Sequence, residues 1–202
     1  MTALWIAVGA LGALLIGSMA GGFLLLAMGR LHLDLGWGRS IHELGPIEIR
    51  IEAPRELVFA LISGSYLGRA PGHSGIEVLA RRADIAVAVH HTKVHFYEAR
   101  TVEVVMFEVP SRVDFRHLTG PVPHAIEEFT LEEVAGDTLL RYRGEVGIDF
   151  FFLGRLAGRH WVRPQWERAV GEHLEDVRHR AEQRAKLESE HPRSPSAGRA
   201  SP

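Results

Sequence analysis

The N-terminal segment from Leu4 to Met28 has 25 residues and no charged side chain. Since a helix rises 1.5 Å per residue, about 20 apolar residues cross the hydrocarbon core of a bilayer. A buried helix of a soluble domain would show a polar face, and this segment shows none. A cleaved signal sequence, the alternative, would have basic residues before an apolar run of about 7–15 residues. We therefore predict a transmembrane anchor over residues 1–30.

The residues that flank this helix indicate its orientation. Met1 to Ala3 contain no lysine or arginine, whereas Arg30 and Arg39 follow the apolar run. Positively charged flanks favour the cytoplasmic side. The pattern predicts a single-pass membrane protein with a cytoplasmic domain.

Small residues recur every four positions along the anchor, on one face: Gly9, Ala13, Gly17 and Gly21. Such a face permits close helix–helix approach, so a homodimer through it is one hypothesis. The alternative is that glycine and alanine are simply common in membrane helices.

Residues 31–44 are interpreted as a juxtamembrane linker. Apolar and polar residues alternate from Leu31 to Gly38, and Trp37 is a residue type that is enriched at membrane interfaces. The alternation also fits a short edge strand.

The composition of the chain excludes several classes of function. The net charge is −2, so no overall positive field attracts nucleic acid, and we predict no nucleic-acid partner. The chain has no cysteine, which excludes disulfides, cysteine-ligated zinc and thiol catalysis. Residues 45–187 have the length and composition of one soluble domain.

The domain is predicted to begin with a strand and a short helix. Residues 47–51 alternate as a strand, and Pro54 suits the first turn of a helix. An apolar helical stripe follows at Leu57, Val58, Leu61 and Ile62. Residues 64–75 are interpreted as a second short helix or a loop.

Six more strands and a long helix complete the domain. Turn signals separate strands at about 76–82, 85–93, 96–109, 112–118, 124–133 and 138–148. A helix over 163–187 has one apolar stripe, consisting of Trp166, Val170, Leu174, Val177 and Ala181. The polar tail, 188–202, is predicted to be disordered.

This element order predicts an α+β fold. Short connections between successive strands imply antiparallel pairing, and a long antiparallel sheet must curl. The amphipathic C-terminal helix can then lie in the concave face, which would leave a hydrophobic cavity between helix and sheet.

Two segments resemble a known superfamily. Residues 49–59, IRIEAPRELVF, and residues 128–140, EFTLEEVAGDTLL, are similar to the start and end of the START-like helix-grip domains of the SRPBCC superfamily, which includes polyketide cyclase/dehydrase-like proteins. The resemblance covers about residues 45–185. It implies a curved sheet around a long C-terminal helix, and binding of hydrophobic molecules, with only some members being enzymes. An N-terminal anchor departs from the usual soluble member.

Strand alternation places four polar side chains on otherwise apolar faces. Each shares its face with apolar neighbours: His91 with Ile85, Val87 and Val89, His117 with Val113 and Phe115, Glu127 with Phe129 and Leu131, and Tyr142 with Leu140 and Val146. Strand 96–109 fits both parities, so we predict a bulge near Val104. The predicted ligand-binding residues are His91, His117, Glu127, Tyr142, Phe115 and Phe129. Alternatively, the polar groups lie near wet strand ends or pair with one another.

The histidine-rich stretch at residues 90–95 does not predict a metal site. On a strand, His91 and His95 would lie about 13 Å apart, too far to share one ion. We predict no metal and no cofactor.

Aromatic residues gather before the last helix. Trp166 fits the helix stripe and is expected in the core. Phe150, Phe151, Phe152 and Trp161 could instead form a hydrophobic surface near the membrane.

Three functions are compatible with these features. The first is a membrane-tethered module that binds a hydrophobic small molecule such as a lipid, an isoprenoid or a polyketide-like compound. The second is a cyclase- or dehydratase-type enzyme that uses His91, His117, Glu127 or Tyr142 as acid or base. The third is a membrane assembly protein whose cavity is filled by side chains.

Overall fold

The computed structural model describes residues 2–68, 75–94 and 97–190. The helices are α1 Thr2–Ala27, α2 Arg55–Leu67, α3 Phe151–Ala157 and α4 Arg163–Glu190, with a π-helical segment, Gly158–Val162, between α3 and α4. The strands are β1 Ser40–Ile51, β2 Ile76–Arg81, β3 Ile85–Val94, β4 Tyr97–Glu108, β5 Arg112–Thr119, β6 His124–Val134 and β7 Asp137–Ile148. His95 and the tail beyond Glu190 lie outside the described residues, as does most of the connection from α2 to β2.

The seven strands form one antiparallel sheet in the order β1-β7-β6-β5-β4-β3-β2. Every strand from β2 to β7 pairs with its predecessor or successor in the chain, and β1 closes against β7. The sheet curves around α4, and the six later strands agree with the predicted ones to within a few residues. The predicted α+β helix-grip architecture is confirmed.

Strand β1 begins at Ser40 and therefore includes residues that the sequence assigned to a linker. Its register with β7 shifts between Leu44 and Ile47, where one extra residue is accommodated at Gly45-Pro46. The alternation of apolar and polar residues is interrupted at this irregularity and starts again at Ile47. The sequence pattern therefore did not reveal the first half of the strand.

The core lies between the concave face of the sheet and helices α2 and α4. The predicted stripe of α4 is buried at Val170, Leu174, Val177 and Ala181. Helix α2 starts after Pro54 as expected and contributes Val58, Phe59, Ile62 and Tyr66 to the same core. Burial of these apolar faces stabilises the packing of both helices against the sheet.

The face assignment for β3 is wrong. Ala86 and Ala88 face the core, not Ile85 and Val87. The register with β4 sets this, because Ala88 lies opposite Glu103 and His90 opposite Thr101, both buried on the inner face. Ile85–Val89 is apolar at every position, so alternation alone could not assign its faces.

The bulge predicted near Val104 is wrong, because buried residues alternate along β4 without interruption. The register of β4 with β5 shifts between Val102 and Glu103, and the extra residue, Leu118, belongs to β5. The inner face of β4 is formed by Glu103, Val105 and Phe107.

The segment before β1 is fixed to the end of β7 by Asp149. Its carboxylate accepts hydrogen bonds from the backbone N–H groups of Leu35 and Gly36, at 2.9 and 3.0 Å, and from Arg39 Nε at 2.8 Å. Arg39 also pairs with Asp34. These contacts hold the connection from α1 against the domain.

Helix α1 is long and apolar enough to cross a membrane over Val8–Ala27, and the domain does not bury that stretch. Length and composition alone do not separate an anchor from a signal sequence. At Gly9, Gly17 and Gly21 no described atom would meet an added Cβ. Dimerisation through this face stays a prediction.

Candidate functional site

Two glutamates and a histidine meet on the concave face of the sheet. The His117 Nε2 atom, on β5, lies 3.7 Å from Glu103 Oε2 on β4 and 3.4 Å from Glu127 Oε2 on β6. The register brings them together because Glu103 is paired with His117, and Glu127 lies on the neighbouring strand opposite Phe115. An imidazole thus lies between two carboxylates.

Glu127 is held by donors from two other elements. The Tyr142 hydroxyl on β7 donates to Glu127 Oε1 at 2.8 Å, and Trp166 Nε1 on α4 donates to the same oxygen at 2.9 Å. The rings of Trp166 and His117 are 5.5 Å apart. These contacts fix the position of the carboxylate and connect it to the helix.

Glu103 has a different set of neighbours. The Tyr66 hydroxyl on α2 donates to Glu103 Oε1 at 2.9 Å. His90 Nδ1, on β3, lies 3.8 Å from the same oxygen. The polar cluster, defined here as His90, Glu103, His117 and Glu127 with the donors Tyr66, Tyr142 and Trp166, therefore draws on several strands and on both helices of the core.

The polar cluster reaches the surface at one histidine. The side chain of Glu103 is 2% exposed and that of His117 is 7% exposed, whereas that of His90 is 41% exposed. His90 is therefore the most exposed of the four ionisable side chains of the polar cluster.

The two carboxylates have opposite pKa shifts. Burial raises the pKa of Glu103 from 4.5 to about 7, although the positive charge of His117 and the Tyr66 hydrogen bond act against the rise. Burial would also raise the pKa of Glu127, but the contact with His117 and the donors Trp166 and Tyr142 outweigh it and lower that pKa. Near neutral pH, Glu127 is ionised and Glu103 can exchange a proton.

The two histidines also differ. Burial would lower the pKa of His117, but the contact with Glu127 and the charges of both glutamates outweigh burial and raise it. Burial lowers the pKa of His90 to about 4, with further lowering from His173 and His117. His117 thus favours the charged form, and His90 favours the neutral form.

One polar atom of the polar cluster has no partner. His117 Nδ1 is buried and makes no hydrogen bond with any residue in the described part of the chain. Buried polar atoms are nearly always paired, so an orphan at this position indicates a place where a ligand group or a water molecule can bind.

The structure brings together three of the predicted polar residues, His117, Glu127 and Tyr142. Phe115 and Phe129 are buried beside them, with ring centroids 5.5 Å apart. His91 lies outside the polar cluster: its Nδ1 contacts Glu98 Oε1 at 2.8 Å in an exposed pair. The prediction that His91 continues the inner face of β3 is therefore wrong, because the neighbouring residue, His90, lies on that face.

Sequence reasoning missed Glu103, His90 and Tyr66 as site residues. Glu103 could have been found, since it is the only charged residue in the otherwise apolar run Val102–Phe107. To predict His90, the inner face of β3 would have had to be assigned correctly. To predict Tyr66, α2 would have had to be extended to Leu67.

Aromatic rings fill the part of the grip beside α2. Tyr66 contacts Phe107 and Phe115, and Phe129 contacts Tyr142. Two depressions on the surface of the described residues are lined by other side chains. One is lined by Arg50, Glu52, Glu175, Arg178, His179 and Glu182, and the other by Asp84, Ile85, Met106, Phe107, Glu108 and Asp114. Neither depression includes a residue of the polar cluster.

No three histidine, aspartate or glutamate side chains within residues 2–68, 75–94 and 97–190 are arranged to hold a metal ion.

A curved antiparallel sheet that grips one long helix defines the helix-grip fold, and solved structures share it. The protein TTHA0849 from Thermus thermophilus is 17% identical, with a TM-score of 0.58 over 69% of this chain and 97% of that protein. The di-domain ARO/CYC StfQ from the steffimycin biosynthetic pathway is 14% identical, with a TM-score of 0.59 over 73% of this chain and 52% of StfQ.

The di-domain ARO/CYC BexL from the BE-7585A biosynthetic pathway is 16% identical, with a TM-score of 0.55 over 73% of this chain and 50% of BexL. The chain spans about half the length of these two di-domain proteins. No protein-family model matches the sequence, and no curated protein matches it. At such identities the likeness establishes the fold.

Proposed function

We propose that this protein is a membrane-tethered module that binds a hydrophobic small molecule, with the polar end of the ligand at the polar cluster. The observation that carries the proposal is the buried group of Glu103, His117 and Glu127, which the fold assembles inside an apolar grip. Ligand sites of this kind combine apolar walls with a few placed polar groups.

The binding residues that we propose are close to those predicted from the sequence. His117 Nδ1 would bond a polar group of the ligand, and Glu103 would accept or donate a second hydrogen bond. Glu127 and Tyr142 would position His117, while Phe115 and Phe129 would form the apolar floor. His90 would lie at the opening.

The tether would place this opening near the bilayer. Met28, directly after α1, accepts a hydrogen bond at 3.0 Å from the backbone N–H of Arg100, near the start of β4. The β3–β4 hairpin, which also carries His90, thus lies near the end of the proposed anchor. A molecule that partitions into lipid would have a short path to the polar cluster.

The binding proposal is tested with the full chain, purified in mild detergent and analysed by native mass spectrometry and organic extraction. The comparison is between wild type, Glu103→Gln and Glu108→Gln. Glu108 is an exposed carboxylate on the same strand, so it controls for a simple change of charge.

The expected result is a defined compound that accompanies wild type and Glu108→Gln and is reduced at least tenfold in Glu103→Gln. Lipids that surround α1 should be equal in all three proteins, which separates them from a ligand of the domain. Identical extracts from the three proteins would contradict binding at the polar cluster.

A second function, acid–base catalysis of a cyclisation or dehydration, is favoured by the pKa of Glu103. A group that titrates near 7 can donate and accept a proton at neutral pH. The test incubates the extracted compound with wild type and with Glu103→Gln. Loss of one water molecule with wild type alone would support the enzyme, and an unchanged compound with both would support binding only.

A further inference from the structure

The helical segment before α4 is seated on the domain through two glycines. A Cβ at Gly154 would clash with the backbone oxygen of Asp149, and one at Gly158 would clash with the ring of His42. Because the two glycines are four residues apart, they mark the face of α3 and the π-helical segment that lies against the ends of β1 and β7.

Much of the rest of this segment is apolar and exposed. Phe152 and Leu153 are each 69% exposed, and Leu156 and Trp161 are about half exposed. Phe151, beside them, contacts Trp37 with ring centroids 5.6 Å apart, and Trp37 is itself exposed. A contiguous apolar patch of this kind on a folded surface marks a binding surface.

One contact shows how this patch sits relative to α1. Trp161 stacks on Phe23 of α1, with ring centroids 5.2 Å apart and nearly parallel planes. Phe23 precedes the end of α1, Ala27, by four residues, which corresponds to about 6 Å along a helix. If α1 crosses a bilayer, Trp161 lies at the depth of the interface.

A basic stripe runs along this segment and into the start of α4. Arg155, Arg159 and Arg163 follow one another at intervals of four residues, and Arg155 and Arg159 are exposed. Arg163 is paired with Glu167 at 3.0 Å. Arginines beside an apolar face can bury their stems and place the guanidinium among anionic headgroups.

We propose that α3 and the π-helical segment form an interfacial docking element that inserts Phe152, Leu153 and Leu156 into the bilayer, with Arg155 and Arg159 on anionic headgroups. The inference rests on the proposed anchor and adds a second attachment. Two attachments would fix the orientation of the domain relative to the bilayer, because a single helix can tilt in the membrane together with the domain that it holds.

The test uses the full chain in lipid nanodiscs and exploits the lack of native cysteines. Three single-cysteine variants carry a polarity-sensitive fluorophore: Phe152→Cys on the docking element, Leu14→Cys in α1, and Val109→Cys. Val109 is an exposed residue just beyond the opposite end of β4 and serves as the aqueous reference. Quenching by nitroxide-labelled lipids then measures the depth of each label.

The expected result is strong quenching of the Phe152 label by shallow nitroxides, of the Leu14 label by deep nitroxides, and none for Val109. A Phe152 label that behaves like Val109 would overturn the docking element. The Leu14 label tests the anchor separately. Quenching of that label by deep nitroxides would show that α1 is in the bilayer even if the docking element is not.

The headgroup contact is tested on the Phe152→Cys background. The Arg155→Glu/Arg159→Glu pair should reduce quenching at least twofold in discs that contain phosphatidylglycerol, and less in pure phosphatidylcholine. The matched control is Arg81→Glu/Arg82→Glu, two exposed arginines at the turn between β2 and β3. Equal quenching in both double variants would overturn the role of Arg155 and Arg159.

Discussion

Trp166 Nε1 donates a hydrogen bond to Glu127 Oε1 at 2.9 Å, and this contact joins α4 to the centre of the sheet. The same oxygen accepts from the Tyr142 hydroxyl, so two donors stabilise one buried carboxylate. The α4 stripe predicted Trp166 as a core residue, but the structure gives it a polar function as well. The start of α4 is thereby fixed against the polar cluster.

Trp166→Phe should destabilise the domain by about 1.5–3 kcal/mol, because it removes a donor to a buried charged acceptor. Thermal unfolding of the full chain in detergent, followed by circular dichroism, measures the loss. Trp161→Phe is the control, since that side chain is exposed and keeps a ring for stacking on Phe23. Equal unfolding temperatures for the two variants would contradict a structural role of the Trp166 hydrogen bond.

Glu103→Gln should change how stability depends on pH. The folded chain raises the pKa of Glu103 from 4.5 to about 7, so the folded state holds this proton more tightly than the unfolded state. The stabilisation from protonation is complete below pH 4.5 and is lost as the pH rises through 7.

The variant should therefore gain stability relative to wild type between about pH 4 and pH 8, by up to roughly 3 kcal/mol. Chemical denaturation at several pH values measures the difference. Glu108→Gln, which removes an exposed carboxylate from the same strand, is the control. A difference that is flat with pH would show that Glu103 ionises normally.

The sequence predicted the strands of the fold better than their faces. Several outer positions of β6 and β7 are charged, and alternation correctly assigned Glu127 and Tyr142 to the inside. On β3 and β4 both parities are apolar, and the inner face depends on which residue of the neighbouring strand lies opposite. That register is a tertiary property, which explains why Glu103 and His90 were missed and His91 was chosen.

The start of the C-terminal helical region was missed for a different reason. Phe150, directly before α3, and Phe151, the first residue of α3, both have positive φ angles, and no helix-start signal precedes them. Gly154 and Gly158 also weaken the prediction of a helix from the sequence, because glycine disfavours helix interiors. Their role becomes visible only when the sheet packs against them.

Asp149→Asn should cost about 1.5–3 kcal/mol, because the carboxylate accepts two backbone N–H bonds and pairs with Arg39 in a buried position. Asp137→Asn is the control: Asp137 pairs with Arg50 at 2.8 Å on the surface, where such pairs contribute about 0–1 kcal/mol. Proteolysis near Leu35 and Gly36, as well as unfolding, should increase in the first variant only. Equal protease resistance would show that the connection does not depend on Asp149.

Gly154→Ala should loosen α3 from the domain, because the new Cβ would clash with the backbone oxygen of Asp149, and a main-chain atom cannot move aside as a flexible side chain can. We expect a loss of at least about 2 kcal/mol, within the range of overpacked sites. Gly171→Ala is a matched control within α4, since nothing lies within 4 Å of its added Cβ. Alanine favours a helix over glycine by up to about 1 kcal/mol, so that variant should be slightly stabilised.

Hydrogen exchange of α3 would separate local detachment from global unfolding. If Gly154→Ala were as stable as wild type, with unchanged exchange in α3, the close seating of this segment on β7 would be wrong.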